Sequence, residues 1–151
     1  MNYLLQDYQL QLLILLDVLI AVLLGGVIGY ERERKNKPAG LRTHMIIAGS
    51  AALIYSLSGV LINHFNESIQ GDSLGIDPTR IIHAIIVGVS FIGAGTILKS
   101  KQKDRVRNLT TSATILLSAI VGISVAMKQY IIAAGITLIL LLINTILLKF
   151  E

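Results

Sequence analysis

The chain has 151 residues, 54% of them hydrophobic and only 15% charged, with a mean hydropathy of +0.73 and no cysteine. A soluble domain carries about 25% charged residues, so an ordinary water-facing surface is excluded, and the missing thiols exclude disulfides, thiol chemistry and thiolate metal sites. The net charge of +4 does not point to nucleic acid, because the charges cluster between apolar runs, the pattern that orients a membrane protein.

Residues Met1 to Gln11 hold Asp7 and no lysine or arginine. A cleaved signal needs a basic start and a small-residue cleavage site, so the first apolar run is expected to stay as a helix. Five runs reach the roughly 17 to 25 residues that a bilayer demands: Leu12–Tyr30, His44–Ile62, Ile81–Leu98, Leu109–Met127 and Ile131–Leu148. They lack the alternation of barrel strands, and open sheet edges cannot face lipid. The fold class is therefore all-α, a polytopic membrane bundle of five transmembrane helices forming one domain over residues 1–151.

Asp17 is the one acid well inside an apolar run. An intramembrane carboxylate is costly and faces protein or water. Arg80 or His83, at the start of the third run, are the expected partners; exposure at the interface is the plainer alternative. The first run then thins at Gly25, Gly26 and Gly29 and ends in Glu31-Arg32-Glu33-Arg34. Helical neighbours lie three or four residues apart, so Glu31 is expected to meet Arg34 or Lys35, and Glu33 to meet Lys37. The cluster reads either as a topology signal or as a partner and ligand surface, with Glu31 and Glu33 paired to Arg42 or Arg107. Two carboxylates suit a hydrated Mg²⁺, but the surrounding arginines oppose it, so no metal is assigned.

Pro38 and Gly40 break the chain before Leu41-Arg42-Thr43-His44 opens the second helix, as Thr110-Thr111-Ser112 and Thr114 open the fourth. Hydroxyls accept from free helix-start amides, so capping is the plain reading. Two helix starts beside Arg42, Lys103, Arg105 and Arg107 also form an anion-binding concavity, suited to a phosphate-bearing ligand or an acidic lipid head group. Histidine ordinarily titrates near neutral pH, so His44 is a candidate acid sensor, or simply interfacial. Gly25, Gly29, Gly88, Gly93 and Gly95, with Ala48 to Ala52, read as packing surfaces. Gly25-x-x-x-Gly29 and Ser118-x-x-x-Gly122 are candidate seams of a homodimer. The first and second helices echo the third and fourth: each leading helix ends in glycines and each trailing one begins with leucine and threonine, a weak parallel repeat.

Loop charge sets orientation. Eleven of the 13 basic residues fall in the first loop, the third loop or after the last run. The N-terminus is therefore expected outside and the C-terminus in the cytoplasm. The loop from Asn63 to Thr79 is external, and Lys128-Gln129-Tyr130 is a tight turn that makes the last two helices a hairpin.

Laid out this way, the chain resembles the MgtC/SapB family of bacterial inner-membrane proteins. The matching segments are Gly25–Glu33, Ala39–His44, Gly49–Ala52, Arg80-Ile81, Phe91–Leu98 and Val106–Thr114, in the family's order. Ser90 and Asn108 stand where the family often has glycine. Many members continue into a soluble cytoplasmic domain, and this chain stops at Glu151. The resemblance implies a regulatory role in growth under magnesium limitation, in acid tolerance and in survival inside host cells, with the F-type ATP synthase as one target. No enzyme signature and no cofactor site is visible. Expected partners are membrane lipids, a second copy and a membrane complex; an Mg²⁺ or other ion transporter is the alternative function.

Overall fold

A computed structural model of the chain describes residues 2–68, 77, 79–99 and 106–146. Among these, five helices form: α1 (Asn2–Arg34), α2 (Leu41–Ser68), α3 (Thr79–Thr96), α4 (Leu109–Ala126) and α5 (Tyr130–Ile146). The five apolar runs are thus helices, but of unequal length. α1 and α2 have 33 and 28 residues, against 18 for α3 and α4 and 17 for α5. Four are long and apolar enough to cross a membrane, and Tyr130–Thr145 is a shorter apolar helix. The third run ends at Thr96 and not at Leu98. Leu98–Lys99 (β1) instead pairs antiparallel with Val106–Arg107 (β2), a short ladder that the apolar pattern does not announce. Lys101, Lys103, Arg105, Lys149 and most of the second loop lie outside the described residues.

Three turns rest on left-handed residues that are not glycine: Asn36, Asn108 and Lys128, with φ of 52°, 67° and 62°. Asn36 closes α1, its N–H donating to Glu33 O at 2.9 Å while Lys37 N–H reaches Arg32 O at 3.0 Å. That doubly bonded turn places a left-handed residue just past the helix end. Lys128 closes α4 in the same way, through Lys128 N to Val125 O and Gln129 N to Ser124 O, both 2.8 Å. Asn108 precedes α4. Asparagine enters this conformation more readily than other side chains, which explains how it stands where the resembling family has glycine.

α4 is the central element and touches the other four helices. One of its faces, Val121 and Val125, packs with Ala21 and Ile28 of α1, Ala48 and Ala52 of α2 and Ala133 of α5. Another, Ile115, Ala119 and Ile123, packs with Ile47 and Ala51 of α2 and Ile85 and Val89 of α3. Small residues allow these close approaches, the usual device where lipid gives no hydrophobic drive to association. A Cβ on Gly25 would stand 2.5 Å from His44 O, one on Gly29 2.6 Å from Leu41 Cα, and one on Gly122 2.1 Å from Ala48 O. Gly93 likewise sits on Ser112 Oγ, at 2.6 Å. The glycine-to-first-turn contact therefore recurs in both helical hairpins.

Two expectations fail here. Gly88 and Gly95 have nothing within 4 Å of a built Cβ, because α3 turns that side away from α4. The Gly25–Gly29 and Ser118–Gly122 stretches are consumed by α2 within the chain, so they are not free seams for a second copy.

Candidate functional site

One face of α1 is buried at Asp17, Ala21, Gly25, Ile28 and Arg32, the four-and-three spacing of a single helical stripe. It carries a charge at each end. At its C-terminal end Arg32 is 2% exposed, and a buried guanidinium needs a paired acid. Glu31 supplies it. Arg32 Nε donates to Glu31 Oε2 at 2.6 Å and Nη2 to Oε1 at 3.0 Å. Lys35 Nζ lies 2.6 Å from Oε1, the expected i to i+4 pair. Asn144 of α5 closes the group: its Nδ2 donates to Glu31 Oε2 at 3.4 Å, and its carbonyl accepts from Lys35 Nζ at 2.5 Å.

Glu31 is therefore occupied from three residues and does not reach Arg42 or Arg107. Glu33 turns the other way, and its Oε2 accepts the Leu41 N–H at 2.8 Å, satisfying a free amide at the start of α2. Arg42, Arg107 and Thr110 are exposed, and Thr43 is half-buried.

His44 is not interfacial. Because α2 begins at Leu41, His44 falls a turn inside the helix and is fully buried. Its Nδ1 lies 2.7 Å from Ser118 Oγ on α4. Ser118 has a single hydroxyl hydrogen, and Thr114 O also lies 3.0 Å from its oxygen. Which of the two donates in the shared bond follows the tautomer of the ring. Thr114 Oγ1 donates in turn to Thr111 O at 2.8 Å. These hydroxyls are not helix caps: Asn108 precedes α4, makes no side-chain cap bond and donates to Thr96 O at 3.0 Å.

Two fully buried polar atoms of this track, His44 Nε2 and Thr111 Oγ1, have no hydrogen-bond partner among the described residues. The Ala39 backbone approaches the ring without making a hydrogen bond to Nε2. Such atoms are sparse in folded proteins, and each costs about 1–3 kcal/mol.

The far end of the stripe is satisfied. Asp17, 2% exposed, pairs with Lys128 Nζ and accepts the Tyr130 hydroxyl at 2.8 Å. Arg80 and His83, the expected partners, are exposed on α3. α3 packs on α4 and α2, and the turn after α4 reaches Asp17 first. Asp17 in turn holds the Lys128 ammonium above its ordinary range. Asp77 lies below the usual carboxylate range because the Thr79 hydroxyl and amide both donate to it, at 2.7 and 2.9 Å.

Ser118, Asn144, Lys128 and Tyr130 were not expected at these sites. The topology held a signal for two of them. Lys128 falls at the same end of the bundle as Asp17, and Asn144 is a polar residue at the Glu31 level of the last run. No group of three or more His, Cys, Asp or Glu side chains that could hold a metal ion occurs among the described residues.

Comparison with known proteins gives these residues a context. An uncharacterized protein of Haemophilus influenzae is 36% identical over 133 residues, 88% of this chain and 54% of that protein. Protein SapB of Bacillus subtilis is 44% identical over 117 residues, covering 78% and 49%. Protein MgtC of Brucella abortus is 37% identical over 127 residues, covering 84% and 48%. The chain thus spans about half the length of these relatives. No solved structure matches it. A model of the MgtC family matches residues 18–151, the span from the α1 stripe through α5, and the chain is accordingly a multi-pass membrane protein belonging to the MgtC family.

Proposed function

We propose that the chain is a regulatory protein of the bacterial inner membrane, serving adaptation to low magnesium and acid stress. It acts through the Arg32–His44 end, which faces the cytoplasm and binds a membrane complex, such as the F-type ATP synthase, or an anionic ligand. The protein works as a homodimer, and the N-terminus lies outside.

The observation that carries this reading is the unfinished polar track. Among the described residues His44 Nε2 and Thr111 Oγ1 are buried without hydrogen-bond partners, at the end of the bundle where Arg34, Arg42 and Arg107 are exposed. Glu31 is already neutralised by Arg32 and Lys35, so the surplus at this end is positive. A positive rim over unsatisfied polar groups suits an acidic partner surface or a phosphate. Ion transport, the alternative, needs an acid free to take the ion, and Asp17 is held by Lys128 and Tyr130.

The test is complementation of a deletion strain at low magnesium. The double variant Arg42→Ala with Arg107→Ala is expected to reach the membrane at normal levels, lose growth rescue and lose a co-purified membrane complex. Full rescue with the complex retained would reduce the cluster to a topology signal. Ion flux into vesicles containing the purified protein, lost in Asp17→Asn, would favour transport instead.

A further inference from the structure

The opposite end of the bundle holds a cavity that this function leaves unused. α4 stops at Ala126, and its closing turn leads straight into α5 at Tyr130. α1 and α2 do not stop there. α1 runs on from Asp17 to Asn2, roughly 22 Å at about 1.5 Å per residue, and α2 from Ser56 to Ser68, roughly 18 Å. The end of α4 is therefore a ledge between two longer helices.

The helices also part at this level. Gly59 of α2 has nothing within 4 Å of a built Cβ, whereas Gly25, Gly29 and Gly49 touch the facing helix. The gap is a niche of about 280 Å³. Leu10, Leu13 and Val60 give it apolar walls, and Asp17, Ala126 and Lys128 lie at the ledge. A second cavity of about 180 Å³ shares Tyr55, Gly59 and Asn63 and extends it to Ile81 of α3.

The polar groups of the niche define what fits it. Both Asp17 oxygens already accept, from Lys128 and Tyr130, so the carboxylate has no call on a cation. The Lys128 ammonium has three hydrogens and is 52% exposed; Asp17 takes one. The Asn63 amide and Ser56 hydroxyl also line the space. The complement is a molecule with an anionic head and an apolar body. Apolar walls with a few convergent polar groups are the make-up of ligand sites, and basic groups between transmembrane helices take lipid head groups.

We propose that this niche binds one phospholipid of the surrounding bilayer, its phosphate on Lys128 and Asn63 and an acyl chain between α1 and α2. Gly59 offers a clean block, because a leucine there fills the niche and meets no existing atom at its Cβ. Gly88 has the same open surroundings on α3 and lies outside the niche, so Gly88→Leu is the control.

The experiment is native mass spectrometry of the purified full chain in detergent, titrated with palmitoyl-oleoyl phosphatidylglycerol. Wild type and Gly88→Leu are expected to retain one lipid. Lys128→Met is expected to weaken retention about fivefold, the weight of one basic residue at a lipid surface, and Gly59→Leu to weaken it at least as much. If Lys128→Met does not fold, Gly59→Leu decides. Retention in Gly59→Leu equal to wild type overturns the proposal, and so does an equal loss in Gly88→Leu, which would mean only annular lipid.

Discussion

From the middle of the bundle to the Arg32 end, glycines at 25, 29 and 122 bring backbone against backbone, while at the Asp17 end Gly59 faces open space. The polar groups follow the reverse order. The loosely packed end has its buried acid doubly satisfied by Lys128 and Tyr130. The tightly packed end leaves His44 Nε2 and Thr111 Oγ1 without partners among the described residues. Close packing and polar satisfaction are thus separate properties here. Glycine placement sets where the helices meet, and it does so where the polar accounting is incomplete.

The sharpest way to break the contrast is at Gly122. A Cβ there stands 2.1 Å from Ala48 O and 2.9 Å from Ala48 C, both backbone atoms that move only with α2. Gly122→Ala is expected to destabilise by about 3 kcal/mol, at the upper end of overpacking. Gly59→Ala is expected to be neutral or to gain up to about 1 kcal/mol from helix propensity. Unfolding of the purified protein in detergent measures both. If the two variants unfold alike, the difference between the ends is not one of packing.

Much of this contrast was legible in the chain and part was not. Apolar run length gives the five helices, and Gly25, Gly29 and Gly93 do pack. The small-residue rule fails at Gly88 and Gly95 because it has no direction: it names residues that permit approach without saying which helix approaches. Helix α4 reads as one more apolar run, yet it is central, and the apolar runs alone rank none of the five above the others. Position along the chain pairs Asp17 with Arg80 or His83, because all three lie near one end. The choice between Arg80 and Lys128 depends on α3 packing away from α1. The apolar run begins at His44 but α2 begins at Leu41, and those three residues, nearly a full turn, carry His44 from the surface into the bundle.

A second pair of substitutions sharpens the polar half of the comparison. Ser118→Ala removes the side-chain partner of the buried His44 Nδ1. It is expected to destabilise by about 2 kcal/mol, the cost of an orphaned buried group. Thr111→Val removes a hydroxyl that has no partner among the described residues and keeps the side chain's shape, so stability is expected to hold or rise slightly. If Thr111 serves a ligand, the same variant still loses growth at low magnesium. Stability and growth then move in opposite directions, which a packing role for Thr111 does not produce. A Thr111→Val protein that is less stable than wild type would show that the hydroxyl is bonded after all.

The smallest effect is the pH dependence at Lys128. Asp17 raises its ammonium above the ordinary value of 10.5, so the pair's contribution is complete below that pH and is lost as the pH climbs through the folded value. Stability of the wild type is therefore expected to be flat from neutral pH to about 10 and to fall above it. Lys128→Met lacks that alkaline loss. The pair is half exposed on the lysine side and is screened accordingly, which limits the fall. Lys128 also sits at φ 62°, a conformation that costs a side-chain-bearing residue roughly 1 kcal/mol. Lys128→Gly loses the pair but also loses that strain, so it is expected to be more stable than Lys128→Met by about 1 kcal/mol. If the two are equal, the backbone strain is relieved elsewhere in the turn. If wild type and Lys128→Met fall together above pH 10, the alkaline loss belongs to other groups, and the Asp17 end is held by Tyr130 and packing alone.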